Sequence, residues 1–148
     1  MSDKLNRRGF LRRTVPGGSA LASAAAQTGK PLRIGVVGVG DRSSFHMDTV
    51  LGMDSIEVPA ICDINPDYLY RAKRWVEEAG KPSPRLYDRG PTDFLRLCEK
   101  EDLDLVITAT PWEWHAAVCI AAMKNGKHAA TEVPAALTLE ECWEMVEL

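Results

Sequence analysis

The stretch Ala109-Thr110-Pro111-Trp112-Glu113-Trp114-His115-Ala116-Ala117 sets two indoles, a carboxylate and an imidazole in four consecutive positions. Trp and His bury an apolar body while keeping a polar edge available, so the cluster suits a surface that meets a flat partner; the plainer alternative is a helix start whose aromatics are core. Two further groups have the spacing to act with it. Gly38-Val39-Gly40-Asp41-Arg42-Ser43 follows the pattern G-x-G-x-x-G with serine in the third glycine's place. The first two glycines permit a tight turn and let backbone N–H groups approach a pyrophosphate at the positive end of a helix. A glycine pair alone also serves ordinary strand-to-helix turns, so a second sign is needed. Asp63 closes Ala60-Ile61-Cys62-Asp63, 23 positions after Gly40, near the roughly 20 at which an acid takes the ribose hydroxyls of a dinucleotide. Free hydroxyls donate to such a carboxylate and a 2′-phosphate is repelled by it, which favours NAD over NADP. The competing reading is an Asp that merely begins the turn Asp63-Ile64-Asn65-Pro66.

These groups need strands, turns and helices in a fixed order, and the pattern supplies them. Leu32 to Gly38 is a β-branched run closed by glycine, and Ser43 to Leu51 reads as a helix. Ile56 to Cys62 is a second strand, and Pro66 to Ala79 has helical spacing with Pro in its first turn. Thr92 to Lys100 is helical, Leu103 to Ala109 a strand, His115 to Lys124 a helix ended by Asn125-Gly126, and Lys127 to Thr131 a short strand. Thr138 caps a last helix, with Glu141 three residues on as a capping box. Strands alternating with helices predict an α/β fold, a Rossmann-type doubly wound parallel sheet. Pro111 to His115 then stands at the carboxyl edge of that sheet, beside the switch point where ligands of open α/β folds bind.

The first 26 residues differ from the rest. Lys4, Arg7, Arg8, Arg12 and Arg13 stand against Asp3, and Val15 to Ala26 is small, weakly apolar and free of charge. That is the layout of an export signal rather than of a fold element. Asn6-Arg7-Arg8-Gly9-Phe10-Leu11-Arg12 is similar to the twin-arginine signal, and Ala24-Ala25-Ala26 offers a cleavage site. The expected organisation is a signal over 1–26, a linker over 27–31 and an NAD(P)-binding domain over 32–148, in a protein exported to the periplasm or beyond. The whole chain has 18 Lys+Arg and 21 Asp+Glu; without the five and one of the signal, 13 and 20 remain, a net −7. So acidic a body has no electrostatic footprint for nucleic acid or an anionic membrane. No apolar run approaches the roughly 20 residues that span a bilayer. Cys62, Cys98, Cys119 and Cys142 form no C-x-x-C pair and read as small buried residues, with a disulfide left open; nothing has zinc-ligand spacing. Trp75 and Trp143 fall at apolar helical spacing and read as core. His46 either faces the site or faces solvent, and His128 reads as structural.

In order, GVGDR, CDINPD, TATPWEWH, GKHAATEVPAA and TLEECWEMVE resemble the N-terminal domain of the Gfo/Idh/MocA oxidoreductase family, over residues 32–148. Within it, PWEWH, EVPAA and EECW are similar to glycoside hydrolase family 109, the NAD-dependent α-N-acetylgalactosaminidases. The resemblance implies a bound NAD that transiently oxidises the sugar at C3 so that the aglycone is eliminated, water adds and the hydride returns. The commoner activity of the family is net oxidation of a sugar or inositol hydroxyl, in which the lysine of a Glu-Lys-Pro triplet assists proton transfer. Here the triplet is Glu132-Val133-Pro134, which departs from that mechanism and fits the glycosidase-like group or a catalytically silent NAD-binding module.

Carried over by position, the resemblance assigns Gly38, Gly40, Asp41 and Arg42 to the pyrophosphate turn and Asp63 to the adenosine ribose. It assigns Trp112, Glu113, Trp114 and His115 to the nicotinamide half, with Glu132 and Val133 on the neighbouring strand edge. The family binds a sugar or glycoside and places its catalytic acid and base on a second, α+β domain, so none is named here. The chain alone is expected to fold as an incomplete Rossmann sheet with an exposed edge, completed by a further domain or a homo-oligomer.

Overall fold

The computed structural model describes residues 29–148. The export-signal reading of residues 1–26 and the first linker positions lie outside the described residues. Among the described residues five strands alternate with five helices: β1 (Leu32–Val37), α1 (Asp41–Leu51), β2 (Ile56–Cys62), α2 (Pro66–Glu78), β3 (Arg85–Tyr87), α3 (Phe94–Lys100), β4 (Leu105–Thr108), α4 (Trp112–Lys124), β5 (His128–Thr131) and α5 (Leu139–Glu147). The strands form one parallel sheet in the order β3-β2-β1-β4-β5. The predicted Rossmann-type architecture is therefore the observed one.

Register places the site. Val37 pairs with Cys62 on one side and Thr108 on the other, and Thr108 pairs with Thr131. The residues that follow, Gly38, Asp63, Ala109 and Glu132, leave the sheet at one level. The chain order reverses direction across the β1–β4 pair, which is the switch point of the sheet. Side chains alternate along the strands and build a core on each face. Ile34, Val36, Val58 and Ile61 pack with Met47, Leu69 and Val76 of α1 and α2. Val37, Ala60 and Val106 pack with Leu97, Val118 and Ala122 of α3 and α4.

The helix boundaries follow local chemistry. At α2, Asn65 accepts the amide of Asp67 at 2.9 Å and Pro66 fills the first position, where its missing N–H removes nothing. Thr138 and Glu141 form the predicted capping box of α5. Two helices begin earlier than expected, α1 at Asp41 and α4 at Trp112, because their first turns present exposed side chains and so break the apolar period. Strand β3 was not anticipated; three residues with an exposed Arg85 carry too little pattern.

Cys62, Cys98 and Cys119 are buried thiols as expected, whereas Cys142 is exposed. Burial pushes the Cys62 thiol up to about 12 and Cys98 to about 11, which keeps both protonated and unreactive. Trp75 is half-buried against the α1/α2 core. Trp143 corrects the expectation of a core residue: it is 65% exposed, and α5 buries none of its residues. Leu139, Trp143 and Val146 form an uncovered apolar stripe, while β5 pairs only with β4, so one sheet edge is free among the described residues.

Candidate functional site

Gly38 turns the chain out of β1 with φ +78°, and a Cβ there would lie 2.9 Å from the backbone nitrogen of Thr110 and 3.0 Å from the carbonyl carbon of Ala109. Only glycine suits both the left-handed conformation and that approach. Gly40, the N-cap of α1, has ordinary space: its Cβ would meet Tyr68 at 3.5 Å. Ser43, at the third-glycine position, is fully buried between helix and sheet, and its hydroxyl has no partner among the described residues.

Asp63 joins two turns. One carboxylate oxygen accepts the amide of Val39, inside the glycine turn, at 2.7 Å; the other accepts the amide of Asn65 at 2.8 Å. Each oxygen keeps a lone pair for a further donor. Arg71, not anticipated from the sequence, flanks the same turn: it stacks over Tyr68 and Trp75 at 4.6 and 5.0 Å and lies 3.4 Å from both the Val39 carbonyl and the exposed Asp41 carboxylate. Its position on the polar side of α2 carried no signal that could have marked it.

The end of β4 divides two concavities. On the β2 side a narrow apolar slot of about 100 Å³ is lined by Gly38, Asp63, Gly90, Phe94, Thr110 and Trp114. Trp114 meets Phe94 edge-on, with centroids 5.9 Å apart and planes at 70°. On the β5 side a cleft of about 370 Å³ is lined by Arg42, Thr110, Trp112, His115, Glu132 and Val133. The two indoles therefore part: Trp114 walls the slot beside Asp63, and Trp112, 63% exposed, stands over the cleft. Glu113 is exposed in the first turn of α4, where the helix dipole favours a carboxylate. A larger groove of about 590 Å³, between α1 and α2, contains none of these residues.

His115 is 1% exposed, and both its ring nitrogens meet backbone carbonyls, Nδ1 that of Pro134 at 2.7 Å and Nε2 that of Thr110 at 2.8 Å. It was expected beside the cofactor; with both nitrogens taken by the backbone, it ties the β4–α4 turn to the segment after β5. Glu132, half-buried, accepts at Oε1 from Arg42 Nε at 2.7 Å, and His46 Nε2 stands 2.7 Å from the same oxygen. The Arg42 guanidinium, with His46 adding to it, holds the Glu132 carboxyl down to about 2, and Glu132 raises Arg42 in turn. Val133 is 80% exposed at the rim of the cleft and has no group that could exchange a proton. Among the described residues no cluster of His, Cys, Asp or Glu could hold a metal ion, and no helix is long and apolar enough to cross a membrane.

Known proteins share this fold. A glycosyl hydrolase family 109 protein of Saccharopolyspora erythraea is 38% identical over 130 residues, 88% of this chain and 28% of that protein. The chain thus spans little more than a quarter of that relative's length. Myo-inositol 2-dehydrogenase from Lactobacillus plantarum superposes with a TM-score of 0.67 at 25% identity, over 80% of this chain and 32% of that one. The WlbA dehydrogenase of Bordetella pertussis, solved with NADH and UDP-GlcNAcA, does so with a TM-score of 0.65 at 27% identity, over 80% and 34%. Residues 32–148 match the family described as the oxidoreductase family with an NAD-binding Rossmann fold. The chain therefore belongs to the Gfo/Idh/MocA family as its NAD-binding domain.

Proposed function

We propose that NAD lies across the carboxyl edge of the sheet and that the chain is the cofactor part of an enzyme cleaving glycosides, of the α-N-acetylgalactosaminide kind, by transient oxidation of the sugar. The observation that carries the cofactor reading is the bond from Val39 N–H to Asp63, which joins the glycine turn to the acid 24 residues on. The residues present fit the group. Gly38 lets the turn pass against the end of β4, the buried Ser43 hydroxyl lacks a partner at the following helix start, and Asp63 has lone pairs for ribose hydroxyls. The slot beside Asp63 takes the adenosine end; the cleft under Trp112, with Glu132 and Val133, takes the nicotinamide end.

Bound NAD supplies a reversible hydride acceptor. This chain's residues orient it: Trp112 shields one wall of the cleft from water, Glu132 offers an acceptor oxygen, and His115 holds the two carbonyls that frame the opening. Valine at position 133, where net dehydrogenases have lysine, supports the glycosidase reading over sugar dehydrogenation, as does the name of the relative that is 38% identical. The dehydrogenase reading draws on the inositol and sugar-nucleotide enzymes of the same fold. The acid, the base and the sugar pocket belong to a second domain, and export by the twin-arginine route is consistent with a cofactor loaded before transport.

Calorimetric titration with NAD and NADP tests the Asp63 reading, which fails if NADP binds as tightly as NAD. For a longer form, cleavage of an aryl α-N-acetylgalactosaminide without net NADH accumulation is expected, and steady NADH production would favour the dehydrogenase. Replacing Arg7 and Arg8 by lysine should leave a reporter fusion in the cytoplasm if the signal is read correctly.

A further inference from the structure

The contacts of Glu132 assign a role to His46, a residue outside the motif. This inference rests on the reading of the Trp112 cleft as the nicotinamide side. A carboxylate and a guanidinium left to themselves favour a two-oxygen, two-nitrogen fork, which is the strongest geometry open to them. Arg42 and Glu132 do not adopt it: the pair closes through Nε and Oε1 alone. The reason lies on the opposite side of the same oxygen, where His46 Nε2 is 2.7 Å away. One oxygen has two lone pairs, and both are now committed. Among the described residues no side chain or amide donates to Oε2, and no acceptor takes the terminal nitrogens of Arg42, whose side chain is largely exposed.

We propose that His46 is a positioning residue that keeps the Arg42–Glu132 pair half-open. It anchors Glu132 through Oε1, so that Oε2 remains an acceptor for a hydroxyl or amide of the nicotinamide ribose end, and the Arg42 terminal nitrogens remain donors for the pyrophosphate. Without His46, Arg42 turns its fork onto both oxygens and the cleft satisfies itself instead of a ligand. The placement allows this: Arg42 and His46 are one helical turn apart on α1, both reaching across the mouth of the β1–β4 crevice to the end of β5. The side chains bearing charge or titrating at this spot are Arg42 and His46 from α1, Glu132 after β5 and His115 from α4, the last already bonded to two carbonyls.

The test compares NAD with AMP, which keeps the adenosine end and lacks the diphosphate bridge and the nicotinamide ribose, on the wild type, His46→Ala and His46→Gln. Losing one charge-assisted contact at the ligand predicts NAD binding about tenfold weaker in His46→Ala, with AMP weakened less, and NAD binding largely restored in His46→Gln, whose amide donates to the same oxygen. Equal weakening of both ligands, as a merely structural role would give, overturns the proposal. Wild-type protein that binds neither ligand overturns the cofactor reading instead. A ligand-free crystal structure of His46→Ala decides independently of binding: Arg42 forked onto both Glu132 oxygens is expected, and an unchanged single-oxygen contact refutes the role of His46.

Discussion

At the scale of single residues, two glycines two positions apart answer to different constraints. Gly38 combines φ +78° with backbone atoms of residues 109 and 110 within 3.0 Å of any added Cβ. Gly38→Ala should therefore lower unfolding free energy by at least about 1–2 kcal/mol from the left-handed conformation alone. Gly40→Ala, with φ −68° and only an ordinary contact to Tyr68, should change it by less than about 1 kcal/mol. Urea denaturation of the two variants separates them, and equal effects would contradict the close approach. Glu132 gives a pH signature. Its carboxyl is depressed from the ordinary 4.5 to about 2, first by the hydrogen bond from Arg42. The folded value lies below the unfolded one, so the stabilisation is full above about 4.5 and is lost as pH falls toward 2. Glu132→Gln should flatten the slope of stability against pH in that window and leave neutral-pH behaviour of other carboxylates alone. The glycine turn and Asp63 were legible because their chemistry depends on spacing along one strand–turn–helix unit. The contacts of Glu132 with Arg42 and His46 were not, because Glu132 lies 90 and 86 positions from them and only the sheet brings it to them.

Between elements, His115 and Thr138 show two ways of holding a segment. His115 joins α4 to the segment after β5 through two carbonyls in a buried setting. His115→Leu removes the ring from between the two carbonyls and should destabilise the fold by roughly 2 kcal/mol or more, since a buried carbonyl loses its N–H donor. Thermal unfolding reads this directly, and an unchanged midpoint would mean that water replaces the ring. Thr138 caps a helix that buries nothing. Thr138→Ala should cost about 1 kcal/mol of local helix stability yet leave global unfolding almost unmoved, a contrast visible as faster amide exchange confined to residues 141–145. Helices α2 and α5 were readable from caps and apolar period, since both signals are local. The starts of α1 and α4 were not, because Asp41, Trp112 and Glu113 are exposed and break the apolar period.

On the scale of the whole molecule, the parallel order β3-β2-β1-β4-β5 makes one ligand edge from four separate turns. A ligand that binds this edge binds only the folded chain, so NAD at 100 times its dissociation constant should raise unfolding free energy by about 2.7 kcal/mol. Urea titrations with and without NAD check this, and a shift of the same size with NADP would argue against Asp63 as the discriminating group. The architecture could be foreseen because alternating strand and helix patterns permit few arrangements. The exposure of Trp143 could not, since apolar spacing says that a stripe wants cover without saying what lies against it. The pairing of β1 with β4 sets Val37 against Thr108, 71 positions apart in the chain. Closing so long a loop is slow compared with winding a helix. Recovery of ligand affinity after dilution from denaturant should therefore lag behind recovery of helical signal, and the interval between them is a clock for the single strand pairing on which the crevice depends.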